Sequence, residues 1–302
     1  VRKIVQRVLG GPDVLEWVEA DRPEPGPAEI LVEVRAAGVN PVDWKVRAGG
    51  GYLGAPPFTV GWEAAGVVAA VGAGVTRFVP GDEVFGLFRF PREASAYAEY
   101  VTGPARHFAH RPRSMTMAQA GGLALAGLTA WQLLAETANV RAGQRVLIPA
   151  AAGGFGHLAV QIAKARGAHV IGTSTAEKHA LVREFGADEV IDYRDTDVGD
   201  AVRDVDLAIG VVAGQVSSLV RTLRPDGMLI TLNGADTAES VAAGGRFLLA
   251  EPDRAGLEEL TRLVDDGRLR VHVDRALPLS RAAEAHRAGE AGRTVGKIVL
   301  TA

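Results

Sequence analysis

The stretch Arg145 to Gly167, RVLIPAAAGGFGHLAVQIAKARG, limits the possible folds more than any other part of the chain. It opens on Val146-Leu147-Ile148, an apolar run with the length and branching of a fully buried parallel strand. Ala150 to Gly156 follows, a turn of residues that mostly carry little or no side chain. Leu158, Ile162 and Ala165 then recur at helical spacing, and Gly167 stops the helix. His169 to Thr173 reads as the next strand. So bare a turn lets two phosphates rest against backbone N–H groups at a helix N-terminus, where the dipole favours an anion. Ala151-x-Gly153-x-x-Gly156 is the G-x-G-x-x-G fingerprint with alanine in first place. A plain glycine-rich connection would match the turn alone. The strand–turn–helix–strand context predicts instead a dinucleotide held by Ala152, Gly153, Gly154, Phe155 and Gly156.

A chain of 302 residues is long for one core, so two domains are expected. Up to about Arg113 there is no βα repetition. Lys3–Val8, Val14–Glu19 and Ile30–Ala37 alternate as half-buried strands, and Gly61–Gly72, Glu83–Leu87 and Ala96–Val101 add more between Gly/Pro turns. That pattern predicts a β-barrel-like domain. From Ser114, a plausible N-cap, helices alternate with strands. Met117–Ala135 is helical, with breaks expected at Gly121-Gly122 and Gly127. Strands at Glu189–Ile191, Leu207–Val212, Met228–Leu232 and Arg246–Ala250 complete a doubly wound parallel sheet. The segment after Gly267 is too short for its own core and should return to the first domain. The expected division is 1–113 with 268–302, against 114–267.

The net charge of −3 offers no basic footprint for nucleic acid or an anionic membrane. No apolar run is long enough to span a bilayer, and no basic-then-apolar leader opens the sequence, so the cytoplasm is the expected location. Cysteine is absent, which removes disulfides, thiolate zinc sites and a cysteine nucleophile together.

Several longer motifs then recur in order: GVNPVDWKVRAG (Gly38–Gly49), GWEAAGVVAAVGAGVTRFVPGDEVFG (Gly61–Gly86), GLTAW (Gly127–Trp131), the glycine turn with its helix and strand, FGADEVIDYR (Phe185–Arg194) and GKIVL (Gly296–Leu300). As an ordered set they resemble the zinc-independent medium-chain dehydrogenase/reductases, in the quinone oxidoreductase group. The resemblance implies a GroES-like catalytic domain beside a Rossmann domain, and NADPH-dependent reduction of quinones, enones or related conjugated carbonyls. Zinc-dependent relatives need a ligand at the position of Asn40 and a Gly-His-Glu motif. Here the motif reads Gly61-Trp62-Glu63, and an indole has no ligating lone pair. No metal is therefore expected. Glu63 reads as a buried carboxylate bonded to backbone N–H groups, with a catalytic role as the lesser alternative. His107 and His110 read as solvated loop residues.

An acid closing the second strand would select NADH. This strand ends instead in Thr173, Ser174 and Thr175, with Lys178 next, which suits a 2′-phosphate. The resemblance sets Ser174, Lys178 and Tyr193 around that phosphate, with Thr129 and Asn233 also on the cofactor, and Glu177 is expected to point outward. The lesser alternative for Lys178 is a solvated helix residue, and the Thr129 hydroxyl could equally bond back to its own helix. The resemblance also places Asn40 at the nicotinamide end, its backbone held extended by Pro41. Asn40, Tyr52 and Lys45 are the expected donors to the charge that develops on a carbonyl oxygen. An activated C=C reductase of a biosynthetic pathway, or a low-turnover NADPH-binding protein, are the competing readings. The apolar edge strand Arg246–Ala250 points to a homodimer, unless the loop Ala235–Gly245 covers it.

Overall fold

The computed structural model describes residues 1–302, which pack as two units. The first comprises Val1–Leu128, Glu251–Gly267 and Val271–Ala302; the second comprises Thr129–Ala250 and Arg268–Arg270.

The second unit holds a six-stranded sheet in the order Glu189–Asp192, His169–Ser174, Arg145–Ile148, Val205–Gly210, Leu223–Thr231, Arg246–Phe247, all parallel. Chain order reverses beside Arg145–Ile148, the switch point where doubly wound sheets bind ligands at the strands' carboxyl ends. Burial on both faces explains why these strands read as continuous apolar runs. Leu147, Ile171, Ala208 and Leu229 of the sheet pack with Val198, Val202, Val216 and Leu219.

The first unit is built on a seven-stranded sheet. Glu29–Val39 is its long central strand, antiparallel to Glu63–Val71, to Tyr100–Pro104 and to Lys297–Thr301. Lys297–Thr301 in turn pairs with Val273–Pro278, so the chain's last segment does return to this unit. Arg2–Gln6 and Leu15–Glu19 form a separate antiparallel ribbon.

Several boundaries differ from those expected. Residues 114–128 and 251–267 belong with the first unit. The helix Met117–Gly121 lies against Glu29–Val39 and Glu63–Val71, and the helix Arg254–Asp265 lies against the strand Phe108–His110. The N-cap is Thr116 rather than Ser114: its Oγ1 accepts from Gln119 N at 3.2 Å and its N–H donates to Gln119 Oε1 at 2.9 Å, a reciprocal capping box. Gly121-Gly122 breaks the helical stretch, whereas Gly127 sits inside the helix Ala124–Trp131. A Cβ there would meet Leu260 Cδ1 at 2.8 Å, so this glycine serves close packing. The strand expected at Ala96–Val101 is Tyr100–Pro104, and the edge strand is only Arg246–Phe247. The segment before that edge strand is the helix Thr237–Ala242, which packs on both Leu223–Thr231 and Arg246–Phe247. The β-rich part also contains an unforeseen helix, Pro41–Gly49. His107 is half-buried and accepts from Arg89 N at 3.2 Å; His110 is solvent-exposed as expected, but it lies in a strand with its ring 5.1 Å from that of Phe78.

Candidate active site

In the second unit the turn Ala150–Phe155 leads from the central strand into the helix Gly156–Ala165. Ala150 takes φ of 50° and accepts from Gly153 N at 2.8 Å. A Cβ on Gly156 would lie 2.3 Å from Ala150 O, so only glycine lets the helix start this near the strand. His157 N donates to Gly153 O, and the N–H groups of Ala152, Gly154 and Phe155 meet no acceptor within the chain. Free amides at the start of a three-turn helix suit a pyrophosphate in both charge and shape. The cofactor fits the residues present.

At the strand's end Thr173 and Ser174 are buried, and Thr173 Oγ1 accepts from Ala150 N at 3.3 Å, tying the second strand to the turn. Asp192 pairs in register with Ser174, which puts Tyr193 just past the end of the neighbouring strand, half exposed. Two acids lie in this corner, and both are engaged. Asp192 Oδ2 accepts from Ala176 N at 2.7 Å, and its pKa is lowered, chiefly by the Arg194 N–H bond. Glu177 points outward as expected and is ion-paired with Arg194 at 2.6 Å. The Thr175 hydroxyl leads the bonds that bring its pKa down to about 2. Lys178 closes the short helix Ala176–Lys178, beside Glu177. Asn233, buried beyond the strand Leu223–Thr231, caps the turn Gly234–Asp236 by accepting from Ala235 N at 3.2 Å. Thr129 is half-buried in the helix Ala124–Trp131.

In the first unit a buried polar network surrounds Asn40. Pro41 opens the helix Pro41–Gly49 and Asn40 is its N-cap, with extended φ and ψ of −132° and 157°. Asn40 N donates to Asp43 Oδ2 at 2.6 Å. Its side-chain Nδ2 donates to Glu63 Oε1 at 2.7 Å, and its Oδ1 accepts from Lys297 Nζ. Lys297 also donates to Glu63 Oε1 at 3.0 Å, and Leu125 N gives Glu63 Oε2 a bond of 2.7 Å at the start of a helix, where the dipole favours a carboxylate. Glu63 therefore has the backbone partner expected of it, and also an ion pair that was not foreseen.

A second chain of bonds runs the other way from Asp43. Tyr97 Oη donates to Asp43 Oδ2 at 3.1 Å and meets His286 Nε2 at 3.2 Å; His286 Nδ1 meets Arg47 Nη1 at 3.1 Å; Arg47 Nη2 pairs with Glu290 at 2.5 Å. A guanidinium only donates, so His286 Nδ1 accepts, its Nε2 carries the proton, and every direction in the chain is fixed. Burial pushes Asp43 up to about 7, with Glu63 adding to the rise and the Asn40 N–H, Tyr97 and Lys297 opposing it. Asp43 Oδ1 is buried without a partner, a cost that is smaller for a neutral carboxyl than for a charged one. Burial, then Arg47, brings His286 down to about 3. Burial first, then Asp43, raises Tyr97 well above its ordinary value.

The three expected donors differ in their surroundings. Asn40 is 5% exposed, and one of its two amide hydrogens is already committed to Glu63. Tyr52 is 49% exposed, its ring edge-on to Phe90 at 6.0 Å, and Phe90 is edge-on to Trp62 at 5.6 Å. Trp62 is buried and donates to Arg92 O at 2.7 Å. Lys45 is exposed; two residues beyond Asp43, it falls about 200° around the helix, on its outer face. No bond of the network around Asn40 involves Lys45, which faces solvent. Sequence reasoning missed Tyr97, His286, Arg47 and Lys297; the only available signal was Lys297 opening an otherwise apolar terminal strand, GKIVL.

Comparison with known proteins agrees with this architecture. A family model described as the alcohol dehydrogenase GroES-like domain matches residues 26–124, and one described as zinc-binding dehydrogenase matches residues 185–300. A quinone oxidoreductase of Pseudomonas aeruginosa is 34% identical over 99% of both chains. The chain belongs to the medium-chain dehydrogenase/reductase family, in its quinone oxidoreductase group. A 2-haloacrylate reductase of Burkholderia is also 34% identical, over 96% of both chains. The structure of Escherichia coli quinone oxidoreductase in complex with NADPH superposes with a TM-score of 0.89 at 29% identity, over 100% of each chain. The first unit thus carries the GroES-like domain and the second a Rossmann-like domain, and the protein is an oxidoreductase that uses a nicotinamide cofactor.

Proposed function

We propose that the protein uses NADPH, in preference to NADH, to reduce quinones or other conjugated carbonyls without zinc. The observation that carries this reading is the corner at the end of His169–Ser174. It offers hydroxyls and Lys178 where an NADH site has an acid, and Arg194 neutralises the nearby Glu177. Bound NADPH supplies the hydride. Within the turn Ala152–Gly156 the free N–H groups of Ala152, Gly154 and Phe155 hold its pyrophosphate, Ser174, Lys178 and Tyr193 its 2′-phosphate, and Thr129 and Asn233 the remainder. The uncommitted N–H of Asn40 stabilises charge on the substrate oxygen, with the Tyr52 hydroxyl as a second donor. Zinc independence is supported by the donor set: an amide at Asn40, an indole at Trp62, and no three acids or histidines clustered as ligands. No helix is long and apolar enough to cross a membrane, in keeping with a cytoplasmic enzyme. We read the edge Arg246–Phe247, followed by the exposed Leu249, as the face of a homodimer.

The Burkholderia relative's name favours a second reading, reduction of an activated C=C. NADPH and NADH oxidation measured with quinones, enones, haloacrylates and aldehydes separates the two. It also separates both from a protein that binds NADPH with little turnover. Equal affinity for both cofactors, or affinity for NADPH unchanged in Lys178→Ala, refutes the phosphate site. Activity raised by zinc or abolished by a chelator refutes the metal-free reaction.

A further inference from the structure

The Asn40 side chain lies between two opposite charges. Lys297 Nζ donates to its carbonyl oxygen, Glu63 Oε1 accepts from its nitrogen at 2.7 Å, and the two charged groups meet at 3.0 Å. Lys297 is 2% exposed and Glu63 0%. An ammonium cannot accept and a carboxylate cannot donate, so the amide has a single orientation. The ammonium draws electron density from the carbonyl and hence from the nitrogen, which strengthens the remaining N–H as a donor. Such a pair is an expensive way to fill space, because apolar residues of similar volume serve stability as well or better. The backbone is nevertheless shaped to admit it: a Cβ on Gly38 would fall 2.1 Å from Glu63 Oε1, and one on Gly122 3.2 Å from Lys297 Cβ.

We propose that Lys297 and Glu63 are positioning residues that hold the Asn40 amide as a one-way donor polarised by a cation, so that a buried ammonium stands behind the group that meets the substrate oxygen. This rests on the reading of Asn40 given above. The carboxylate fixes the geometry and the ammonium supplies the polarity. Acceptors differ in how much they need such a donor. A quinone spreads its developing charge over its own ring, whereas a simple enone concentrates it on one oxygen.

The test is the double variant Lys297→Met/Glu63→Gln, which removes both charges and keeps one acceptor, toward Asn40 Nδ2 or toward Leu125 N. Steady-state rates are measured with 1,4-benzoquinone and with 2-cyclohexenone, NADPH affinity by fluorescence, and the Asn40 side-chain amide by NMR. The expected result is unchanged KM and NADPH affinity, with kcat for the enone down about tenfold, less than the roughly 100-fold or more lost with an entire oxyanion donor. The loss with quinone is smaller, and the uncommitted Asn40 proton moves upfield. Lys297→Arg, which keeps the charge, retains most of the enone rate and the proton shift, and it serves as the test if the double variant does not fold. Equal losses with both acceptors, or no loss with either, overturn the proposal. If the wild type reduces neither acceptor, the functional reading fails separately, and the NMR shift still decides the polarisation: an Asn40 proton unmoved by loss of the ammonium overturns it.

Discussion

Replacing Asp43 by Asn should change how stability depends on pH, in a direction set by two buried groups that share Tyr97. Asp43 rises from an ordinary value of 3.8 to about 7. Between those values the folded chain holds a proton that the unfolded chain has lost. Its contribution is thus complete below 3.8 and disappears as pH rises through about 7, about 4 kcal/mol in all. His286 falls from 6.5 to about 3, so here the unfolded chain binds the extra proton. That contribution, about 5 kcal/mol, is complete above 6.5 and is lost as pH falls to about 3. From about pH 4 to pH 6.5 the two slopes are equal and opposite, and the pair leaves stability nearly flat. Asn mimics the neutral Asp43, still offering an oxygen to the Asn40 N–H and to Tyr97, while it does not titrate. Asp43→Asn should therefore expose the His286 slope, gaining about 3 kcal/mol between about pH 4 and pH 6.5. Relative to wild type the variant should gain about 4 kcal/mol by about pH 8, a difference in which every other titrating group cancels. Urea unfolding followed by tryptophan fluorescence suits the measurement, since Trp17, Trp44 and Trp62 lie in the first unit and only Trp131 in the second. A difference between variant and wild type that stays constant from acid to neutral pH would refute the linkage and leave Asp43 an ordinary buried side chain.

Other consequences can be checked individually. Arg194→Ala frees the Glu177 charge beside Lys178 and should weaken NADPH binding several-fold, with NADH unaffected; titration with both cofactors reads this directly, and equal weakening of the two contradicts it. Thr116→Ala removes a capping box and should cost about 1 kcal/mol in denaturant unfolding. Gly156→Ala forces a Cβ against Ala150 O and should abolish detectable binding of either cofactor while the first unit stays folded by tryptophan fluorescence. Light scattering at micromolar concentration should give twice the 31.6 kDa chain mass; a monomer rejects the edge-strand dimer.

The Rossmann half was legible because its signals are local. A buried parallel strand, a turn without side chains and a helix at period 3.6 are each written within a few residues, and their alternation fixes the layer arrangement. Where a local signal lacked its packing context, the expectation slipped. Gly127 looks like a helix breaker until Leu260, far along the chain, explains the missing Cβ. Ser114 and Thr116 are both good caps, and only Thr116 has a glutamine three residues later to close the box.

The Asn40 network was illegible for a different reason. Its members come from the helix Pro41–Gly49 and its cap, two strands of the central sheet, a loop before Tyr100 and the helix Ala282–Glu290, so no window of sequence holds more than three of them. Each alone has an ordinary reading: Tyr97 as core, His286 as a helix residue, Lys297 as a terminal strand's exposed opening. What makes them a system is that burial removes water, so every donor must find an acceptor inside. Once Arg47 can only donate, His286, Tyr97 and Asp43 take their proton positions in turn, and the last of them reaches the backbone of Asn40. The side chain of Asn40 is fixed independently by Lys297 and Glu63. Two constraints from opposite directions converge on one residue, its backbone from one side and its side chain from the other. A fold that needed Asn40 only as a helix cap would have no use for the second.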